Sequence, residues 1–283
     1  MENLFQERIY VTKNKNMPYR IYVPADYTRE KTYPLILFLH GAGERGNDNV
    51  SQLKHAVKQM FARRSSPVYQ CIVVAPQCPA NEKWVNVTQW TDGFYSTDEI
   101  EESDNLKMVL GILEEIKRKY SIDCDRVYTT GLSMGGYGSW DLITRHSELF
   151  AAAIPVCGGC DVSKAERLKN FPIHTFHGLQ DPTVPPNATE AMVNALQDLG
   201  SRKIIYTPYP EGGHAIWEEA FATKGLFEWL VYQRISSRKY AEIPPHTYEL
   251  PKWFLPACIA ATAATIATVA TVGIVLCAKR KKN

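Results

Sequence analysis

Hydrophobic and polar positions follow two alternating patterns along this chain. Short apolar runs such as Leu35-Ile36-Leu37-Phe38-Leu39 carry no polar interruption, as expected of buried strands in a parallel sheet. Longer stretches with helical spacing lie between them. The pattern predicts strands near 8–12, 18–23, 34–39, 70–75, 126–130, 151–156, 172–177 and 202–207. It predicts helices near 50–63, 99–119, 134–146, 187–199 and 225–237. Such alternation implies an α/β fold: a mostly parallel eight-stranded sheet with helices on both faces, its first two strands pairing antiparallel. Residues 1–237 suit one large domain with a single core.

The pattern changes near the C-terminus. Residues 238–252 contain Pro244-Pro245 and Pro251 and are predicted to form an extended linker. From Trp253 to Ala278 there is no charged residue, and 253–278 is predicted to be one transmembrane helix. Trp253 and Phe254 stand at one edge, and the basic tail 279–283 begins with Lys279-Arg280-Lys281-Lys282 at the other. Met1 to Tyr10 shows no basic start and no apolar stretch, so no signal peptide is read there. This favours a cytoplasmic domain held by its tail, whereas the positive-inside tendency favours the reverse side for the domain. Leu250-Pro251 before the apolar run has the outline of a wall-sorting signal, but Lys252-Trp253-Phe254 lacks the Thr-Gly such signals carry. Thr262, Thr265, Thr268 and Thr271 form a slowly drifting stripe among alanines, read as a single weak anchor with satisfied hydroxyls, the alternative being that the stripe also pairs two copies as a homodimer.

Charge separates the two parts. All 30 acidic residues lie before residue 252, against 27 basic ones, so the part before the tail carries −3. Such a surface has no general attraction for nucleic acid, and no nucleic-acid partner is expected. Seven cysteines include Cys157-Gly158-Gly159-Cys160, whose C-x-x-C spacing lacks the second pair a tetrahedral zinc site needs. It is read as structural, with a labile disulfide as the alternative. No Walker-type loop, metal-ligand cluster or dinucleotide fingerprint is visible, so neither a metal nor any other cofactor is expected.

Chemistry enters at Gly131-Leu132-Ser133-Met134-Gly135. This G-x-S-x-G follows the strand-like run 126–130 and precedes a helix-compatible stretch, the setting of a nucleophile elbow. Glycines two residues either side are needed because side chains there would collide with strand and helix. A nucleophilic serine needs a base, and the base an orienting acid. Asp181 lies just past the strand near 172–177, and His214 lies on the loop Glu211-Gly212-Gly213-His214 after the next strand. The order Ser133, Asp181, His214 is that of an α/β-hydrolase triad. Asp161 is the rival acid. The oxyanion hole is assigned to the Met134 N–H and to the glycine-rich turn His40-Gly41-Ala42-Gly43-Glu44-Arg45-Gly46, with Ala42 as second donor and Gly43 its rival.

Together His40 to Gly46, Ala75-Pro76-Gln77-Cys78-Pro79 with Trp84, the elbow GLSMGGYGSW, and His177-Gly178…Asp181…Val184-Pro185 resemble one family. It is the serine-esterase branch of the α/β-hydrolases that includes feruloyl-esterase-like and polyhydroxybutyrate-depolymerase-like enzymes. The resemblance spans residues 8–235. It implies an α/β-hydrolase fold and a serine carboxylesterase working through an acyl-enzyme on small, short-chain or aromatic acyl esters, carbohydrate-linked ones among them. The alternatives are a thioesterase or peptidase of the same fold, or a non-catalytic ligand sensor or membrane scaffold. Trp84, Trp90, Phe94 and Trp217 are the candidates for lining an acyl or aromatic pocket, and Arg45 for meeting a substrate carboxylate or pairing with Glu44. His40 and His177 close strands before glycine and are expected to hydrogen-bond loop backbone. Trp140 is expected in the core.

Overall fold

The structure, a computed structural model, describes residues 2–241. Eight strands form one sheet: β1 (Gln6–Val11), β2 (Asn16–Tyr22), β3 (Tyr33–Leu39), β4 (Ile72–Pro76), β5 (Ile122–Leu132), β6 (Ala152–Val156), β7 (Ile173–Gly178) and β8 (Ile204–Tyr209). Their spatial order is β1-β2-β4-β3-β5-β6-β7-β8. β2 pairs antiparallel with both β1 and β4, and every pairing from β4 to β8 is parallel. This is the predicted α/β-hydrolase sheet, with all eight strands within a few residues of their expected places.

The helices are α1 (Val57–Met60), α2 (Asp104–Lys119), α3 (Met134–Arg145), α4 (Ala165–Leu168), α5 (Asn187–Asp198), α6 (Trp217–Phe221), α7 (Leu226–Tyr232) and α8 (Ile235–Ala241). Successive side chains of a strand point to opposite faces, and the core follows that rule. Leu35, Leu37 and Leu39 of β3 join Ile72 and Val74 of β4 under Val109 and Ile112 of α2 and Leu196 of α5. Ile36, Phe38, Val73 and Ala75 face the other way, against Val57 and Met60 of α1, Phe221 of α6 and Leu230 of α7. All seven residues of β3 are buried, which explains its uninterrupted apolar sequence.

The helix predicted over 50–63 is broken. Ala56 adopts φ 62°, which ends the preceding 3-10 turn (Ser51–Leu53) and leaves one helical turn in α1. The helix predicted from 99 starts at Asp104, where the Ser103 hydroxyl accepts the Leu106 N–H at 3.0 Å and caps it. The helix predicted over 225–237 stops at Tyr232 and a new one, α8, runs on to Ala241. The expected linker start at 238 is therefore helical. Asp125 ties the first turn of α8 to the domain, accepting from the Ser236 N–H at 2.6 Å and its hydroxyl at 2.7 Å. Among the described residues no helix is long and apolar enough to cross a membrane. The predicted span 253–278, its threonine stripe with the suggested dimer contact, the basic tail 279–283 and the linker beyond 241 lie outside the described residues.

Candidate active site

Ser133 stands between β5 and α3 with φ 53° and ψ −118°, a conformation an L-residue holds only under constraint. The constraint is visible. The Ser133 N–H donates to the Val156 carbonyl at 2.8 Å, and its own carbonyl accepts the Tyr137 N–H at 3.1 Å. A Cβ on Gly131 would sit 2.4 Å from the Gly135 carbonyl oxygen, and one on Gly135 would sit 1.9 Å from that of Leu39. Both glycines are thus required for the close crossing of strand and helix, as the elbow motif predicts.

The structure brings the three expected side chains into one line. His214 Nε2 lies 2.8 Å from Ser133 Oγ, and its Nδ1 lies 2.6 Å from Asp181 Oδ2. A carboxylate only accepts, so Nδ1 carries the hydrogen and Nε2 is free to accept the serine proton. Asp181 Oδ1 accepts the Thr183 N–H at 2.8 Å and the Val184 N–H at 2.9 Å. Burial pushes this carboxyl up, but the contacts from His177, His214 and the Val184 amide outweigh burial and hold it well below the usual carboxylate range. Gly178 lets the histidine loop close over the end of β7: a Cβ there would meet the Gly213 carbonyl oxygen at 2.1 Å. The rival acid is elsewhere. Asp161 accepts from Thr97 N–H and hydroxyl at 2.7 Å each, and from the Ser163 hydroxyl at 2.6 Å, fixing a loop.

Met134 opens α3, where a helix leaves its first N–H groups without an intrahelical partner. Ala42 opens the 3-10 turn after β3. The turn borders the serine: a Cβ on Gly41 would lie 3.7 Å from Ser133 Cβ. Gly43 faces open space. Several buried contacts hold the turn. His40 donates from Nδ1 to the Gly41 carbonyl at 2.6 Å and accepts the Cys78 N–H on Nε2 at 2.9 Å. Burial lowers its pKa to about 4, so it is neutral at pH 7. Arg45 turns to backbone carbonyls, not to Glu44. It donates to the carbonyls of Ala42 at 2.8 Å and Glu82 at 3.1 Å, which holds the Ala42 peptide in place. Gln77 donates to the Glu44 carbonyl at 3.1 Å and Asp48 Oδ1 at 2.8 Å, and accepts the Asn49 N–H at 2.7 Å. Sequence reasoning passed over this support; Gln77 in the Ala75–Pro79 motif was its one visible sign.

The aromatic candidates divide. Trp84 is fully buried, so it cannot line a substrate pocket. Its Nε1–H donates to the His40 carbonyl at 3.0 Å, and its ring packs edge-on against His40 at 5.2 Å, supporting the turn from behind. Trp90 is half-buried beside Tyr137, whose hydroxyl donates to the Trp90 carbonyl at 2.8 Å. Phe94 is exposed, on the same loop, which bridges to Cys160. Trp217 stands edge-on to the His214 ring at 5.5 Å. Trp140 is fully buried in the core, as expected. Cys157 and Cys160 are free buried thiols, and burial pushes Cys157 up to about 12. Cys157, Asp181 and His214 each offer a possible metal-ligand atom within 4.8 Å of the others, but two of the three residues are those already joined in the Ser133–His214–Asp181 line.

A family model described as phospholipase/carboxylesterase matches residues 26–225. The chain belongs to this family. Among its relatives, a probable carboxylesterase SOBER1-like of Arabidopsis thaliana is 27% identical over 71% of this chain and 79% of that protein. A probable feruloyl esterase C of Aspergillus terreus is 28% identical over 62% of this chain and 59% of its own length. A bifunctional acetylxylan esterase/xylanase of Neocallimastix patriciarum is 32% identical over 36% of this chain, which spans only 15% of that larger protein. Among solved structures a thermostable esterase superposes with a TM-score of 0.74 at 38% identity, covering 82% of this chain and 64% of that one. A ferulic acid esterase at 18% identity and TM-score 0.61 shares the fold. The phospholipase/carboxylesterase match takes in the elbow, Asp181 and His214, so family and geometry bear on the same residues.

Proposed function

We propose that this chain is a serine carboxylesterase with Ser133 as nucleophile, His214 as base and Asp181 as orienting acid. The observation that carries the reading is the unbroken line from Ser133 Oγ through both nitrogens of His214 to Asp181, beginning at a serine held at positive φ. His214 Nε2 takes the Ser133 proton as Oγ bonds to the ester carbonyl carbon. The Met134 and Ala42 N–H groups hold the oxyanion. The intermediate collapses, the carbon–oxygen bond to the alcohol breaks, and the imidazolium returns its proton to the leaving oxygen. Water then repeats the sequence: His214 takes its proton, the acyl-enzyme is hydrolysed, and Ser133 regains its hydrogen. The substrates are small, short-chain or aromatic acyl esters, with carbohydrate-linked esters among them. The named esterase relatives support that class, and Trp217, edge-on to the His214 ring, supports an aromatic group beside the base.

A fluorophosphonate probe together with a panel of aryl, acetyl, short-chain acyl and feruloyl esters tests this. Labelling at Ser133, ester turnover, and loss of both in Ser133→Ala are expected. A protein that turns over peptide anilides or thioesters but no oxygen ester would refute the esterase reading. One that takes no probe at all would refute the triad. The apolar run 253–278 with its basic end supports attachment of this enzyme to a membrane by its C-terminal part.

A further inference from the structure

One buried histidine that the hydrolytic steps leave unused lies against the same aspartate. His177 closes β7 and is fully buried. The chain then turns back through Asp181 to Val184, and the imidazole faces that turn. Nε2 lies 2.8 Å from the Val184 carbonyl oxygen and 3.4 Å from Asp181 Oδ2. Nδ1 lies 2.9 Å from Thr189 Oγ1, which stands 3.1 Å from the Gly158 carbonyl oxygen.

Counting protons decides what this ring offers. Carbonyl and carboxylate oxygens only accept, so Nε2 carries a hydrogen. Thr189 has one hydroxyl proton for two neighbours. Given to Nδ1, it leaves the ring neutral. Given to Gly158, it obliges Nδ1 to donate as well, and the ring is an imidazolium. Either way an N–H, never a lone pair, faces the aspartate. Its hydrogen bond goes to Val184, and Oδ2 feels the same group as a nearby positive end. Two effects on Asp181 follow. Val184 is held at both of its backbone polar groups, its carbonyl accepting from His177 and its N–H donating to Asp181 Oδ1 at 2.9 Å, so the turn is clamped. Positive potential is also placed at Oδ2, the oxygen that accepts His214 Nδ1–H.

We propose that His177 is a positioning residue for the acid–base pair: its Nε2–H clamps the turn that carries Asp181 and draws charge from Oδ2, so that Asp181 orients His214 without holding its proton too tightly. The proposal rests on the esterase reading of Ser133, His214 and Asp181. A carboxylate relieved of that second N–H is a better partner for an imidazolium. His214 would then keep its proton to higher pH. The other titratable groups facing the pair are Cys157 and Tyr137, with Glu218 and His55 beyond the Trp217 ring. Burial raises Cys157 to about 12 and lifts Tyr137 above its ordinary range, so both stay neutral while the enzyme works.

Two variants read this on the full-length protein: His177→Phe, which fills the space without a donor, and His177→Gln, which places an amide N–H near the position of Nε2. In His177→Phe, kcat is expected to fall about tenfold or more with KM little changed. The ascending limb of its kcat/KM–pH profile is expected to move to higher pH. His177→Gln is expected to recover most of kcat and the wild-type limb. Equal losses in both variants with an unmoved limb would show a role in packing alone and overturn the proposal, as would an unaffected His177→Phe. Should His177→Phe fail to fold, nitrogen-15 NMR of histidine-labelled protein carries the question, independent of turnover. A protonated His177 Nε2 whose signal shifts in Asp181→Asn is expected. A bare Nε2, or a signal indifferent to that substitution, would overturn the proposal. Absence of probe labelling at Ser133 would instead sink the esterase reading alone.

Discussion

Acidification from pH 7.5 to 5 sets three buried groups against one another, and their balance fixes the sign of the stability change. His40 and His174 are buried, and burial lowers each from an ordinary 6.5 to about 4. Asp141 is buried too, and burial, opposed by Arg145, raises it from 3.8 to about 6. Between pH 6.5 and 4 the unfolded chain binds protons that the folded histidines refuse. Their contribution is therefore full above pH 6.5 and is lost as pH falls toward 4. Asp141 works the other way, because its folded state takes the proton first: its contribution is full below pH 3.8 and is lost as pH rises through 6. At pH 5, relative to pH 7.5, each histidine costs about 2 kcal/mol and Asp141 returns about 1, a net loss of about 3 kcal/mol. At His40 a local contact acts in the same sense as burial: a proton on Nε2 would face the Cys78 N–H that Nε2 now accepts. Urea unfolding at pH 7.5, 6 and 5 measures the effect. In His174→Phe, beside the Phe176 ring that stacks on His174, the loss should shrink to about 1 kcal/mol, and in Asp141→Asn it should deepen to about 4. Stability that is flat between pH 7.5 and 5, or an Asp141→Asn variant that loses less than the parent, would refute the reasoning.

The remaining expectations are briefer. Asp181→Asn should keep the fold and lose most of its ester turnover, whereas Asp161→Asn should keep turnover and lower the melting temperature by loosening the Thr97 and Ser163 contacts; the reverse outcome in a rate assay would move the acid to Asp161. Gly135→Ala should destabilise by several kcal/mol, because its Cβ would overlap the Leu39 carbonyl oxygen at 1.9 Å, and normal expression with full activity would contradict the close crossing of β3 and α3. Deleting residues 253–283 should leave turnover intact and move the protein from membrane to soluble fraction on centrifugation; an inactive truncation would show that the tail belongs to the folded domain.

The strands were legible because a parallel sheet covered on both faces demands runs like β3, in which every residue is apolar. Local pattern could not reveal the break at 50–63, since only the backbone shows Ala56 at positive φ. The one-turn helices α4 and α6 are too short to display a period. At the site, the chain order of Ser133, Asp181 and His214 was readable, and so were the glycines that allow the elbow. The supporting residues were not. Trp84 looked like a pocket wall because it follows a strand on a long loop, yet its indole N–H finds the His40 carbonyl 44 residues back and the ring goes inside. Arg45 likewise spends its donors on carbonyls, one of them distant in sequence at Glu82. Such partners are chosen by the fold, and a single sequence carries no trace of them.

The strand order has a consequence for how the molecule fails. Ser133 leaves β5, in the middle of the sheet, while His214 follows β8, one of its two edge strands. No residue of β8 is fully buried, and the strand pairs on one side only, with β7. Edge segments of this kind open locally at a smaller free energy than a core such as β3 to β6. A molecule whose edge has opened would part His214 from Ser133 while Trp84 and Trp140 stay enclosed. Under mild denaturant, activity would therefore fade together with the signal of Trp217, which stands against His214, before the buried Trp84 and Trp140 register unfolding. The lifetime of the Ser133–His214 contact would then follow local opening at β8 and not global unfolding.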